Sequence, residues 1–244
     1  MLPYFFFLTA SEWGVERDSL KEEDLLRLPM PPPLDDTNGS TKRLLDLDAR
    51  FAALSRRGTK GTTLSSALPE LNDAVYDLYG LDSRQRLLVE DMLDYTIDLQ
   101  LRKEGSVALR PATVDDLGAY ATQFMAVVDE FLSVRNESEL VAEPFDVPSQ
   151  SRLRVVKFRT IARPAQPLKV RPVACESLDR VLGQIAEVLL EQGQSADPVY
   201  TRRHLRVYGH GEVYIVKPAQ IRFWTRSAGL NDADAVLAEH LGSR

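Results

Sequence analysis

Across residues 69–101 the apolar side chains return at helical spacing: Leu71, Val75, Leu78 and Tyr79, then Leu87, Leu88, Met92, Tyr95 and Leu99. Between the two sets, Gly80-Leu81-Asp82 supplies a stop and a new start. Glycine tolerates the left-handed turn that ends a helix, and an aspartate side chain accepts the free amides that begin one. This stretch is therefore committed to a helical hairpin. A third helix follows from Thr113-Val114-Asp115-Asp116, whose carboxylates suit a helix N-terminus, and from Leu117, Tyr120, Phe124, Val127, Val128 and Phe131, which share one face.

The flanking segments read differently. Residues 2–9 are aromatic and apolar enough for a buried strand, and Glu22, Glu23 and Asp24 open a short helix that the prolines of 29–33 must end. Residues 35–42 read as a loop, and Leu44, Leu45, Leu47, Phe51 and Leu54 as a helix. Residues 56–66, with two glycines and several Ser and Thr, predict a surface loop. The acidic segment 136–150, with Pro144 and Pro148, predicts a boundary. Beyond it, 153–161 and 168–173 are strand-like, and Leu178, Val181, Leu182, Ile185, Val188 and Leu189 mark an amphipathic helix. Residues 199–208 and 212–217 predict two strands joined by Gly209-His210-Gly211, and a last helix is expected to begin at Asn231-Asp232 or after it. The expected class is α+β: a mostly helical part over 1–148, with a buried first strand, and a small α+β domain over 149–244.

Charge divides the chain at the same place. Residues 1–150 carry 15 Lys and Arg against 27 Asp and Glu, net −12, whereas 151–244 carry 15 against 9, net +6. An acidic total does not exclude phosphate contact, because only the local clustering of cations matters. A single cysteine, Cys175, permits no internal disulfide, and with three histidines makes a zinc site of protein ligands improbable. These features fit a reducing cytoplasm. No stretch reaches the roughly 18 apolar residues of a membrane span, so no membrane partner is expected.

Alternation in the C-terminal hairpin predicts that Leu205, Val207, Val213 and Ile215 face the core, with Tyr200, Arg202, His204, Arg206, Tyr208 and Tyr214 opposite. Lys217, Arg222, Trp224 and Arg226 follow directly. Guanidinium groups pair with phosphates and aromatic rings stack on bases, so Tyr200, Arg202, His204, Arg206, Tyr208, Tyr214, Lys217, Arg222 and Arg226 form the candidate nucleic-acid-binding set. Such residues equally serve a solvated sheet face or pair with carboxylates. Trp13 and Trp224 are expected in the core.

Three runs carry a resemblance. Phe7-Leu8-Thr9-Ala10-Ser11-Glu12-Trp13-Gly14-Val15-Glu16-Arg17, with Leu25-Leu26-Arg27-Leu28-Pro29-Met30-Pro31, is similar to a run just beyond the catalytic part of large bacterial adenine-specific DNA methyltransferases and of single-chain restriction-modification enzymes. Glu70-Leu71-Asn72-Asp73-Ala74-Val75-Tyr76-Asp77-Leu78-Tyr79-Gly80-Leu81 resembles an element near the end of the same enzymes. The run from Ile215 to Asp234 resembles the C-terminus of methyltransferase-like proteins of phage-defence systems. The resemblance implies a DNA-engaging or specificity region, with double-stranded DNA and a separate catalytic methyltransferase subunit as partners, and S-adenosylmethionine bound by that subunit rather than by this chain. Amino-group methylation needs a glycine-rich donor turn and an Asn/Asp-Pro-Pro-aromatic loop. Met30-Pro31-Pro32-Pro33 lacks both the polar and the aromatic member, so no catalytic or metal-ligating residue is expected. The competing reading is a protein-interaction module, or a remnant of a split enzyme, that never touches DNA.

Overall fold

The computed structural model describes residues 62–132, 138–162, 169–191, 204–209 and 211–242, together with 22–27 and scattered positions before 62. The chain forms an α+β fold in two compact units, Met1–Leu93 and Asp94–Arg244. The boundary expected near 148 thus falls inside the second unit, between its first two strands.

In the first unit, α1 (Glu22–Leu26) is followed by α2 (Thr62–Leu78) and α3 (Ser83–Asp91). Leu45, Asp46, Asp48, Ala49 and Ala52 are also helical. Of the strand expected over 2–9, only Leu8 is described; it is helical and exposed, and the rest lies outside the described residues, as do Trp13 and the prolines of 29–33. Part of the loop expected over 56–66 is helix: α2 begins at Thr62 and carries Pro69 inside, where the missing N–H gives up one bond of the ladder. The stop and start between α2 and α3 are as the sequence reads. Gly80 has φ +65°, and Asp82 caps α3 in a reciprocal box with Gln85, its carboxylate 2.8 Å from the Gln85 amide.

The last residues of α3 lead into a π-helical turn, Met92–Ile97, then α4 (Asp98–Arg102) and α5 (Val114–Leu132). Thr113 caps α5: the Asp116 carboxylate accepts from the Thr113 amide and hydroxyl and, bidentately, from Arg110. Burial alone would raise the Asp116 carboxyl, but the hydrogen bonds from Arg110 and Thr113 outweigh it and hold the group below its ordinary value.

The sheet has the order β3-β1-β2-β5-β4, made of β1 (Ser138–Asp146), β2 (Leu153–Ala162), β3 (Val173–Ala174), then after α6 (Leu178–Glu191) the hairpin β4 (Leu205–Gly209) and β5 (Glu212–Pro218). Only β1 and β3 run parallel. The acidic, proline-containing segment expected as a boundary therefore contains β1, an interior strand. Pro144 is tolerated because its missing donor would face the β3 side, where the ladder passes from Ala142, bonded to Lys169 and Arg171, to Asp146, bonded to Cys175. Its other neighbours belong to β2, whose register pairs Pro144 with Val156.

Both faces of the sheet are covered. On one, α5 and α7 (Arg226–Gly242) close a core of Leu117, Tyr120, Phe124, Val156, Phe158, Ile215 and Trp224, in which the Phe124 and Phe158 rings stack at 3.9 Å. On the other, α6 packs Val181 and Ile185 against Phe145, Val155, Val207, Tyr214 and Val216. The last helix starts at Arg226, five residues before Asn231, because the Thr225 hydroxyl already accepts the Ala228 amide as an N-cap. Gly229 then allows α7 to lie directly on α5. A Cβ there would stand 2.4 Å from the Tyr120 carbonyl oxygen. Replacing Gly229 with alanine is expected to destabilise the second unit by about 1–3 kcal/mol, as overpacking does; urea unfolding of G229A against wild type checks this.

Candidate functional site

The hairpin register decides which side chains meet. Gly209 pairs with Glu212, so the connection is two residues long, with Gly211 at φ +74°. The sequence reading counted three residues in the loop. That difference slips the register by one and exchanges the faces of β5 relative to β4. Arg206 lies opposite Ile215, and Tyr208 opposite Val213, and these share a face with Lys217 beneath α5 and α7. Leu205, Val207, Tyr214 and Val216 take the other face, beneath α6.

Lys217 is thereby carried into the core, 5% exposed. Its ammonium donates to the Phe223 carbonyl at 3.0 Å and to the Asp232 carboxylate, and lies 4.9 Å from the Tyr120 ring centre and 5.3 Å from that of Trp224. Asp232, also buried, accepts on the same oxygen from the Tyr120 hydroxyl at 2.6 Å, and its other oxygen is 3.6 Å from the Arg206 guanidinium. Trp224 meets Tyr120 edge-on and donates its indole N–H to the Pro218 carbonyl at 2.9 Å. Arg206 and the Tyr208 hydroxyl each donate to Glu239, one to each carboxylate oxygen.

Two cations and two carboxylates thus alternate from the interior to the rim: Lys217, Asp232, Arg206, Glu239. Burial pulls the Lys217 ammonium below its ordinary pKa, while Asp232 opposes that loss. Burial and the neighbouring Asp232 charge push the Tyr120 phenol well up, so it stays a donor. Tyr208 is pushed up to about 12 by burial and by its bond to Glu239. His204, just before β4, is held below its ordinary pKa by partial desolvation and then by the Arg206 charge.

The remaining candidates disperse. Tyr200 and Arg202 lie outside the described residues. Tyr214 is buried on the α6 side, its hydroxyl 3.2 Å from Glu212 and its ring 5.8 Å from the Lys157 ammonium. Lys157 belongs to a second charged group there, with Glu143 at 2.9 Å and Arg159 on the other Glu143 oxygen at 2.7 Å. Arg226 is half-buried at the start of α7. Arg222 is exposed, its guanidinium 4.7 Å from the Phe223 ring centre.

Arg222 sits at one end of the sheet, where three backbone segments meet. The Ile221 amide donates to Arg110, Ala112 to Ala219, and Ala219 to Arg152. Arg154, buried beneath this junction, donates to the carbonyls of Ala112, Ser149, Ser151 and Leu153 and so fixes it. Arg152 and Arg222 are both exposed, and neither forms an ion pair among the described residues.

The sequence reading missed Tyr120 and Asp232 as partners of Lys217, Glu239 as the acceptor of Arg206, and Arg152 as a second exposed arginine at the end of the sheet where Arg222 sits. Asp232 had a signal: it falls three residues after Gly229 and four before Val236, on the apolar stripe of its helix. Among the described residues no three His, Cys, Asp or Glu side chains are grouped to hold a metal ion, and no described helix is long and apolar enough to cross a membrane. The chain matches no family model, no curated protein and no solved structure.

Replacing Tyr120 with phenylalanine keeps the ring and removes one donor from a buried carboxylate. A loss of about 1.5–3 kcal/mol is expected, as for hydrogen bonds to charged groups, read by urea unfolding of Y120F.

Proposed function

We propose that this chain is the non-catalytic, DNA-engaging or specificity portion of a bacterial adenine-specific DNA methyltransferase or restriction-modification system. It works with a separate catalytic subunit, and S-adenosylmethionine belongs to that partner. The observation that carries DNA contact is the pair of exposed arginines, Arg152 and Arg222, held on adjoining segments at one end of the sheet and outside any ion pair among the described residues. Guanidinium groups so placed suit the phosphate backbone of duplex DNA. The two runs that resemble adenine-specific methyltransferases, and the third that resembles methyltransferase-like proteins of phage-defence systems, supply the biological setting.

The test is duplex binding by the full chain across a salt series. R152A/R222A should bind more weakly, with the log–log salt slope reduced by about 1.8, the share of two phosphate contacts on duplex DNA. Affinity and slope equal to wild type would remove the proposal.

A second reading, a protein-interaction module with no DNA contact, is favoured by one observation. Lys217, Arg206 and Tyr208 of the expected DNA face already bond to Asp232 and Glu239. No affinity for duplex at low salt would favour it.

A further inference from the structure

We propose that Arg206 and Tyr208 form a phosphate clamp that the chain's own Glu239 occupies, an autoinhibitory contact that masks a second DNA-contact point. The inference rests on the DNA-engaging reading and adds a second contact point and its control.

The geometry is that of anion recognition. Arg206 donates to one Glu239 oxygen and the Tyr208 hydroxyl to the other, so two donors on alternate positions of β4 grip one carboxylate from both sides. A phosphodiester presents two equivalent anionic oxygens and accepts the same pair of donors. Burial and the Asp232 charge position the donors as well as the occupant does. The Arg206 side chain is only 12% exposed, and its other terminal nitrogen stays 3.6 Å from Asp232, itself fixed by Lys217 and Tyr120. Tyr208 packs against the core under α7. The occupant is the loosely held member: the Glu239 side chain is 50% exposed and comes from near the C-terminal end of α7, at its fourteenth residue of 17. The pair is open to solvent on the Glu239 side, where salt screens it, so a polyanion can compete with the carboxylate.

The exchange needs no covalent chemistry. Glu239 swings out with α7 otherwise in place, and a backbone phosphate takes the two donors. The net charge presented to DNA rises because the cation is no longer neutralised.

The experiment measures binding of mixed-sequence duplex DNA to the full chain against salt, for wild type, E239Q, E239Q/R206Q and R152A/R222A, with thermal unfolding of each. E239Q should bind several-fold more tightly than wild type, with a salt slope steeper by about 0.9, one further phosphate contact. E239Q/R206Q should lose that gain. E239Q/Y208F, which leaves the Arg206–Asp232 contact intact, provides the same comparison if R206Q fails to fold. Unchanged binding by E239Q while R152A/R222A weakens binding would overturn the clamp and leave the DNA reading standing. No binding by wild type or any variant would overturn both.

Discussion

The second unit depends on one interaction, the buried pair of Lys217 and Asp232. An ammonium and a carboxylate withdrawn from water each carry a large desolvation cost, which is offset only when every donor and acceptor finds a partner. Outside the pair itself the partners come from three places: the Phe223 carbonyl after β5 accepts from Lys217, the Tyr120 hydroxyl on α5 donates to Asp232, and the Arg206 guanidinium on β4 lies 3.6 Å from the other Asp232 oxygen. The pair can be satisfied only when these elements stand in one arrangement. It therefore selects the register of α7 on the sheet, which an apolar contact of the same area would leave free to slide. Gly229 serves the same arrangement by letting α7 approach α5 closely enough for Asp232 to reach Lys217.

From that pair outward, charges of opposite sign alternate in short steps. Arg206 meets both Asp232 and Glu239, so a buried ion pair is continued to a half-exposed one at the rim. The inner members are fixed by burial and the outer member is accessible to solvent. That gradient separates the buried part of the network from the part that solvent reaches.

Much of the secondary structure was legible because local signals were strong: Gly80 and Asp82 between α2 and α3, Thr113 before α5, and the apolar stripe of α6 from Leu178 to Leu189. The failures are equally local. Gly209-His210-Gly211 reads naturally as a three-residue connection, but Gly209 pairs with Glu212, and one residue of slip moved Val213, Tyr214 and Ile215 to the wrong faces. Pro144 and its acidic neighbours read as a linker, because a proline normally ends a strand; only the tertiary position of β1, with its gap on the β3 side, makes it harmless. Residues 226–230 hold no acidic residue that would mark a helix start, and Asn231 and Asp232 are more conspicuous start signals than the Thr225 cap. The candidate site was legible by residue type but not by role. Lys217 and Arg206 were recognised as cations near a hairpin, yet their partners lie 15 and 33 residues away in sequence, beyond what spacing reveals.

The most direct measurement is a double-mutant cycle on Lys217 and Asp232, comparing K217M, D232L and K217M/D232L by urea unfolding of the full chain. The account predicts that each single substitution leaves a buried charge uncompensated and that the double variant recovers much of the loss, a coupling of about 2 kcal/mol or more. Additive losses, with coupling near zero, would contradict it.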